Sequence, residues 1–132
     1  MTSSPGSGPA CPCGSGETYS ACCRPYLRRE AEAPTAEALM RSRYTAYVRR
    51  DAAYLEHTWH PQTYVPVGDL RSPVWRGLSV GAVEDGKPGD SHGVVEFTAH
   101  FEDDAGHAGN MRETSRFVFE QGRWLYLDGD VS

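Results

Sequence analysis

His92-Gly93-Val94-Val95-Glu96-Phe97-Thr98-Ala99-His100-Phe101 alternates with the two-residue period of a β-strand. Val95, Phe97, Ala99 and Phe101 share one face; Val94, Glu96, Thr98 and His100 share the other. A second run extends from Met111 to Glu120 and a third from Arg123 to Asp128, joined by the tight-turn pair Gln121-Gly122. The polar, glycine-containing stretch from Asp103 to Gly109 reads as a hairpin loop. Upstream, Val74 to Val83 is a further strand, interrupted by Gly77 and Gly81 and closed by the turn signal Asp85-Gly86. Together these runs predict an antiparallel meander.

Helices precede it. Thr35 can accept from the free N–H groups of a helix start, and Glu37 suits the positive helix end. Leu39, Met40, Tyr44, Tyr47 and Val48 recur at helical spacing, which makes the aromatic stripe core. Asp51 is a second cap, ahead of Ala52, Ala53, Tyr54, Leu55, Thr58 and Trp59. The spacing predicts two helices, or one bent helix, ending near His60-Pro61, then a short extended piece at Thr63-Tyr64-Val65. Helices followed by a meander make an α+β layout, with the strands curled around the helices.

A chain of 132 residues with seven Tyr, four Phe and three Trp has enough apolar material to fold, which excludes a disordered chain. No apolar run is long enough to cross a membrane. The first ten residues, rich in Ser, Gly and Pro, read as a disordered terminus and not a secretory signal, so a cytoplasmic location is expected. The formal charge is −5 and no long Lys/Arg cluster exists, which argues against nucleic acid as a partner. The expected organisation is a disordered segment over 1–10, a cysteine unit over 11–29, a short linker over 30–34 and the main domain over 35–132.

All four cysteines lie between positions 11 and 23. A secreted disulfide scaffold would spread them along the chain, so a metal site is the better reading. Zn²⁺ is held at tetrahedral corners by thiolates, one pair from each side of a turn. Cys11 and Cys13 form the first pair, Gly14-Ser15-Gly16 lets the backbone reverse, and Cys22 and Cys23 return. Four thiolates on one zinc leave a net charge of about −2, which Arg24, Arg28 and Arg29 are close enough in sequence to offset. A Cys22–Cys23 disulfide would be strained, whereas a bridge such as Cys11–Cys22 is geometrically allowed. Thiol redox chemistry is the rival use of these residues.

Residues 11–23 resemble the SEC-C motif, Cys-x-Cys-x-Ser-Gly followed by a helical turn and Cys-Cys or Cys-His, with Cys23 in the last position. The rest resembles the YchJ-like family. The resembling stretches are Thr35-Ala-Glu-Ala-Leu-Met-Arg-Ser-Arg-Tyr-Thr-Ala-Tyr, Tyr54-Leu-Glu-His-Thr-Trp-His-Pro, Glu113-Thr-Ser-Arg-Phe and Gly122-Arg-Trp-Leu-Tyr-Leu-Asp-Gly. The resemblance implies a nuclear-transport-factor-2-like (cystatin-like) cone, a curved sheet wrapped on a long helix and often enclosing a pocket. It implies no settled biochemical role.

If the cone holds a pocket, Glu113 and Ser115 share a strand face with Phe117 and Phe119. Glu113 would then be a general acid or base in an apolar site, working with His57 or Asp128, or a partner in a buried ion pair with Arg41 or Arg43. His57 and His60 could face the pocket mouth; His100 and His107 read as solvated. No nucleophile elbow, Walker loop or dinucleotide fingerprint occurs. The leading expectation is a zinc-stabilised module that binds a protein partner or a small ligand. The alternatives are a small-molecule enzyme of lyase, isomerase or hydrolase type and a cysteine redox switch. A homodimer through the open sheet face is also expected of such a fold.

Overall fold

The computed structural model describes residues 8–132. The disordered terminus expected over 1–10 lies outside the described residues as far as position 7; of the remainder, Ala10 forms an antiparallel bridge with Thr18. The elements are α1 (Arg24–Leu27), α2 (Ala36–Val48), α3 (Ala52–His57), β1 (Val74–Asp85), β2 (His92–Glu102), β3 (Ala108–Glu120) and β4 (Arg123–Val131). The four strands form one antiparallel sheet in the order β1-β2-β3-β4, the predicted meander.

Both predicted caps form. Thr35 Oγ1 accepts from the Ala38 N–H at 3.0 Å, and Asp51 Oδ1 from the Tyr54 N–H at 3.0 Å. Two capped starts make α2 and α3 separate helices. The glycine interruptions of β1 are irregularities in register, between Trp75 and Gly77 and between Val80 and Val83. β3 starts earlier and β4 runs further than alternation indicates, because backbone pairing such as Glu102 with Ala108 and Glu113 with Val131 needs no apolar side chain. The extended piece expected at Thr63–Val65 is instead a turn and irregular chain. The position beside β4 is already taken by Trp59, which bridges to Tyr126, and Tyr64 packs edge-on against the Trp59 ring at 5.6 Å.

α2 lies across the inner face of the sheet. Leu39 and Met40 pack with Val95, Phe117 and Trp124. The start of α2 is fixed by the Ala36 N–H donating to the Gly86 carbonyl at 2.9 Å, and the adjoining Pro34 carbonyl accepts from the Trp124 indole at 3.3 Å. Tyr44, Ala46, Tyr54 and Leu55 belong to a second apolar cluster that also contains Cys11, Cys13 and Cys23, so the cysteine unit is docked into the core. On the outer face Arg116 bridges to Asp128 at 2.6 Å and Asp130 at 2.9 Å, a cross-strand charge ladder.

Leu55 is fully buried. Leu55→Ala is expected to cost about 2–5 kcal/mol of unfolding free energy, from lost transfer energy and the cavity it leaves. Thr35→Ala should cost about 1 kcal/mol, by loss of the cap alone. Urea denaturation of both variants measures the difference.

Candidate metal centre and binding cavity

The cysteine unit is built by short-range backbone bonds. The Cys11 N–H donates to the Glu17 carbonyl at 2.9 Å and the Gly14 N–H to the Cys11 carbonyl at 3.1 Å. Gly14 has φ +78°, a left-handed conformation that glycine adopts without strain, so the chain turns back at once. A single helical turn at Tyr19–Ala21, capped by Thr18, then returns the chain to Cys22 and Cys23 just ahead of α1.

All four sulfurs lie within 4.8 Å of one another, and none is in a disulfide. Zinc–sulfur bonds of about 2.3 Å in a tetrahedron require sulfur–sulfur edges of about 3.8 Å. The Cys13–Cys22 separation is 3.6 Å and the Cys22–Cys23 separation is 3.9 Å. The donor set and its spacing therefore fit a tetrahedral metal site. Proton sharing splits the thiols. Hydrogen bonds from Cys11 and Cys23 hold Cys13 far below the ordinary thiol range. The reciprocal bonds, with burial, push Cys23 far above it, and burial chiefly pushes Cys22 up to about 11. A dication that stabilises every thiolate at once relieves that competition.

The surrounding groups come largely from α2. Thr45 Oγ1 donates to Cys23 Sγ at 3.4 Å and lies 3.8 Å from Cys11 Sγ. Arg41 Nη1 donates to the Cys13 carbonyl at 2.7 Å. From the knuckle itself, Ser15 Oγ is 3.1 Å from Cys22 Sγ. The cation that reaches the cluster is thus Arg41; Arg28 pairs with Glu30 at the surface. Arg41 and Thr45 stand one helical turn apart, a spacing that serves one face of α2 and could have marked both.

The opposite side of α2 closes a cavity of about 280 Å³ against the inner face of the sheet. Most of its wall is apolar or aromatic; Arg43, Glu113, Ser115 and Tyr126 are its polar side. Arg43 is only 6% exposed. Its Nη1 donates to the Leu55 carbonyl at 2.9 Å and to Thr58 Oγ1 at 2.7 Å. Its guanidinium carbon stands 5.2 Å from the Trp59 ring centre and 4.7 Å from that of Tyr126. Burial pulls the Arg43 pKa below its usual value, against the nearby tyrosines and Glu113.

Glu113 points into this cavity, as alternation predicts. Its Oε2 accepts from the Ser115 hydroxyl at 2.6 Å and the Tyr126 hydroxyl at 2.9 Å. The Glu113 side chain lies against Gly129, where a Cβ would collide with Oε2. The ion pair expected with Arg41 or Arg43 does not form. Arg41 is held by Glu37 and the Cys13 carbonyl, and Arg43 by groups of α3 and its end, while the two hydroxyls bond Glu113 Oε2.

Of the predicted acid–base candidates, only Glu113 lines the cavity. Asp128 lies on the outer sheet face, bound to Arg116. His57 ends α3, half-buried, with its pKa lowered by burial and by Arg123 and Arg29. His60 is buried, accepting from the Gln62 N–H at Nδ1 and meeting Glu120 at Nε2, so it is spent on local structure. Phe119 leaves the cavity face and packs on Trp124 at the sheet's end. Arg43 is the cavity residue whose own role the alternation argument missed. Its signal is a charge set among Met40, Tyr44 and Tyr47 in the apolar stripe of α2.

Comparison with known proteins follows the same division. Residues 35–129 match the family model described as the YchJ middle NTF2-like domain, and residues 10–25 match the SEC-C motif. A UPF0225 protein of Deinococcus radiodurans is 51% identical over 89% of this chain and 86% of its own length. A UPF0225 protein of Ralstonia nicotianae is 43% identical over 93% of this chain and 92% of its own. The solution structure of a SEC-C motif containing protein from Rhodopseudomonas palustris superposes with a TM-score of 0.80 at 35% identity, over 91% of this chain and 96% of that one. A crystal structure of a SEC-C motif containing protein from Psychrobacter arcticus gives 0.72 at 30% identity, over 92% and 82%.

Thr45→Val keeps the side-chain shape but removes the hydroxyl that donates to Cys23. It is expected to lower the affinity of the four-cysteine site for a divalent metal roughly 10–100-fold without changing the number of sites. Competition against a chromophoric chelator reads this directly.

Proposed function

The chain belongs to the YchJ-like family of UPF0225 proteins, and from that premise we propose that it is a zinc-stabilised module that binds a small ligand in its cone. Cys11, Cys13, Cys22 and Cys23 hold the zinc. Four thiolates fill a tetrahedral site and leave no position for a substrate, so the metal contributes folding energy and not reaction chemistry. A cytoplasmic, reducing setting suits four unpaired thiols. No helix among the described residues is long and apolar enough to cross a membrane.

The observation that carries this reading is the double use of α2. Arg41 and Thr45 bond the cysteine unit, while Met40, Arg43, Tyr44 and Tyr47 line the cavity. A knuckle that fixes α2 fixes the cavity wall. Binding is favoured over catalysis because Glu113 has neither His57 nor Asp128 beside it in the cavity. A redox switch needs accessible thiols, and Cys11, Cys13 and Cys23 are buried.

Metal analysis of protein purified under reducing conditions should give one zinc per chain. Chelation should abolish amide protection over residues 11–29 and lower that of α2, measured by hydrogen exchange. A fully folded chain with no bound metal in reducing buffer would overturn the proposal. So would native thiols that react with an alkylating agent as fast as free cysteine.

A further inference from the structure

The cavity contains two opposite charges that do not meet. Arg43 is buried, and its Nε and Nη2 make no hydrogen bond among the described residues. Trp59, whose ring Arg43 faces, has its indole Nε1 buried without a hydrogen-bond partner among the described residues. Across the cavity, Glu113 Oε2 takes both hydroxyl bonds, and Oε1 accepts none among the described residues. Tyr126 spans the gap: the Arg43 guanidinium stands 4.7 Å from its ring centre, and its hydroxyl is 2.9 Å from Glu113. One aromatic ring therefore stands between unused donors and an unused acceptor. Met40, Phe97, Ala99 and Phe117 give the cavity an apolar stretch of wall. The volume, about 280 Å³, lies just below the roughly 300 Å³ at which ligand pockets usually begin, which suits a small molecule.

We propose that the cavity takes a small amino or hydroxy acid with an apolar side chain. Its carboxylate binds Arg43, its ammonium or hydroxyl donates to Glu113, and its side chain lies against Met40, Phe97 and Phe117. A planar guanidinium recognises a carboxylate through paired N–H donors, and Glu113 as a carboxylate accepts from either donor type. This assignment rests on the ligand-binding reading above and adds the chemistry of the ligand.

The zinc-loaded full chain is titrated by calorimetry and by NMR, following the Trp59 indole N–H. The probes are L-phenylalanine, L-leucine, their 2-hydroxy acid counterparts, 3-phenylpropionate, 2-phenylethylamine and the neutral 3-phenylpropan-1-ol. An amino or hydroxy acid is expected to bind at least tenfold more tightly than 3-phenylpropionate and 2-phenylethylamine, each of which lacks one of the two contacts. Glu113→Gln, a near-isosteric change whose melting curve checks the fold, should weaken an amino acid at least tenfold and a hydroxy acid only a few-fold. That contrast identifies the donor. If 3-phenylpropan-1-ol binds as tightly as the acids, the charge assignment is overturned while the binding cavity stands. If no probe binds at millimolar concentration, both fall.

Discussion

Helix α2 touches the cysteine cluster with one side and the cavity with the other, and the bond from Thr45 to Cys23 is where the two halves of the molecule join. A small cysteine unit has no core of its own to bury and cannot hold its fold by apolar contact alone. Here Cys11, Cys13 and Cys23 enter the same apolar cluster as Tyr44, Tyr54 and Leu55, so their sulfurs are packed as well as bonded. Arg41 adds a cation at the Cys13 carbonyl, beside the four-cysteine cluster. The cysteine unit and the helix are therefore mutually stabilising. Loss of either one exposes apolar surface belonging to the other.

Much of this could be read from the residues. Alternation located four strands and the inward direction of Glu113, and the two helix caps at Thr35 and Asp51 stand where side-chain chemistry puts them. Those features are local, set by periodicity or by a bond spanning three residues. The cysteine spacing was legible for the same reason, since a tetrahedral site allows few arrangements of two short-range pairs. What the residues do not disclose is which partner a polar group finds across the fold. Arg24, Arg28 and Arg29 are near the cysteines in sequence, but Arg41, 28 residues beyond Cys13, supplies the contact. The partner of Glu113 likewise depended on β4 geometry, because Tyr126 and Gly129 meet β3 only through the register of the hairpin.

The failure of the Arg43–Glu113 pair to close has a physical cause on each side. A direct pair in a low-dielectric interior loses much of its attraction to desolvation. Arg43 instead lies beside two aromatic rings and donates to a carbonyl and a hydroxyl, which supports the cation without neutralising it. Glu113 accepts two short hydroxyl bonds and rests on Gly129, where a side chain would displace it. Each charge is anchored through one of its atoms, Arg43 by Nη1 and Glu113 by Oε2, so each is held on its own side of the cavity.

That separation is maintained by the backbone as much as by the side chains. After α3 the chain runs beside β4: the His60 N–H donates to the Tyr126 carbonyl at 2.8 Å, and the Tyr126 N–H to the Thr58 carbonyl at 2.8 Å. Thr58 is the residue whose hydroxyl receives Arg43, and Tyr126 is the residue whose hydroxyl reaches Glu113. One pair of backbone bonds thus fixes the supports of both charges relative to each other. Buried His60, held between the Gln62 N–H and Glu120, secures the end of that ladder. A histidine just before a proline at a helix end is read from the sequence first as a hydrogen-bonded residue, and His60 is one: it fastens the ladder that spaces the two charges in the cavity.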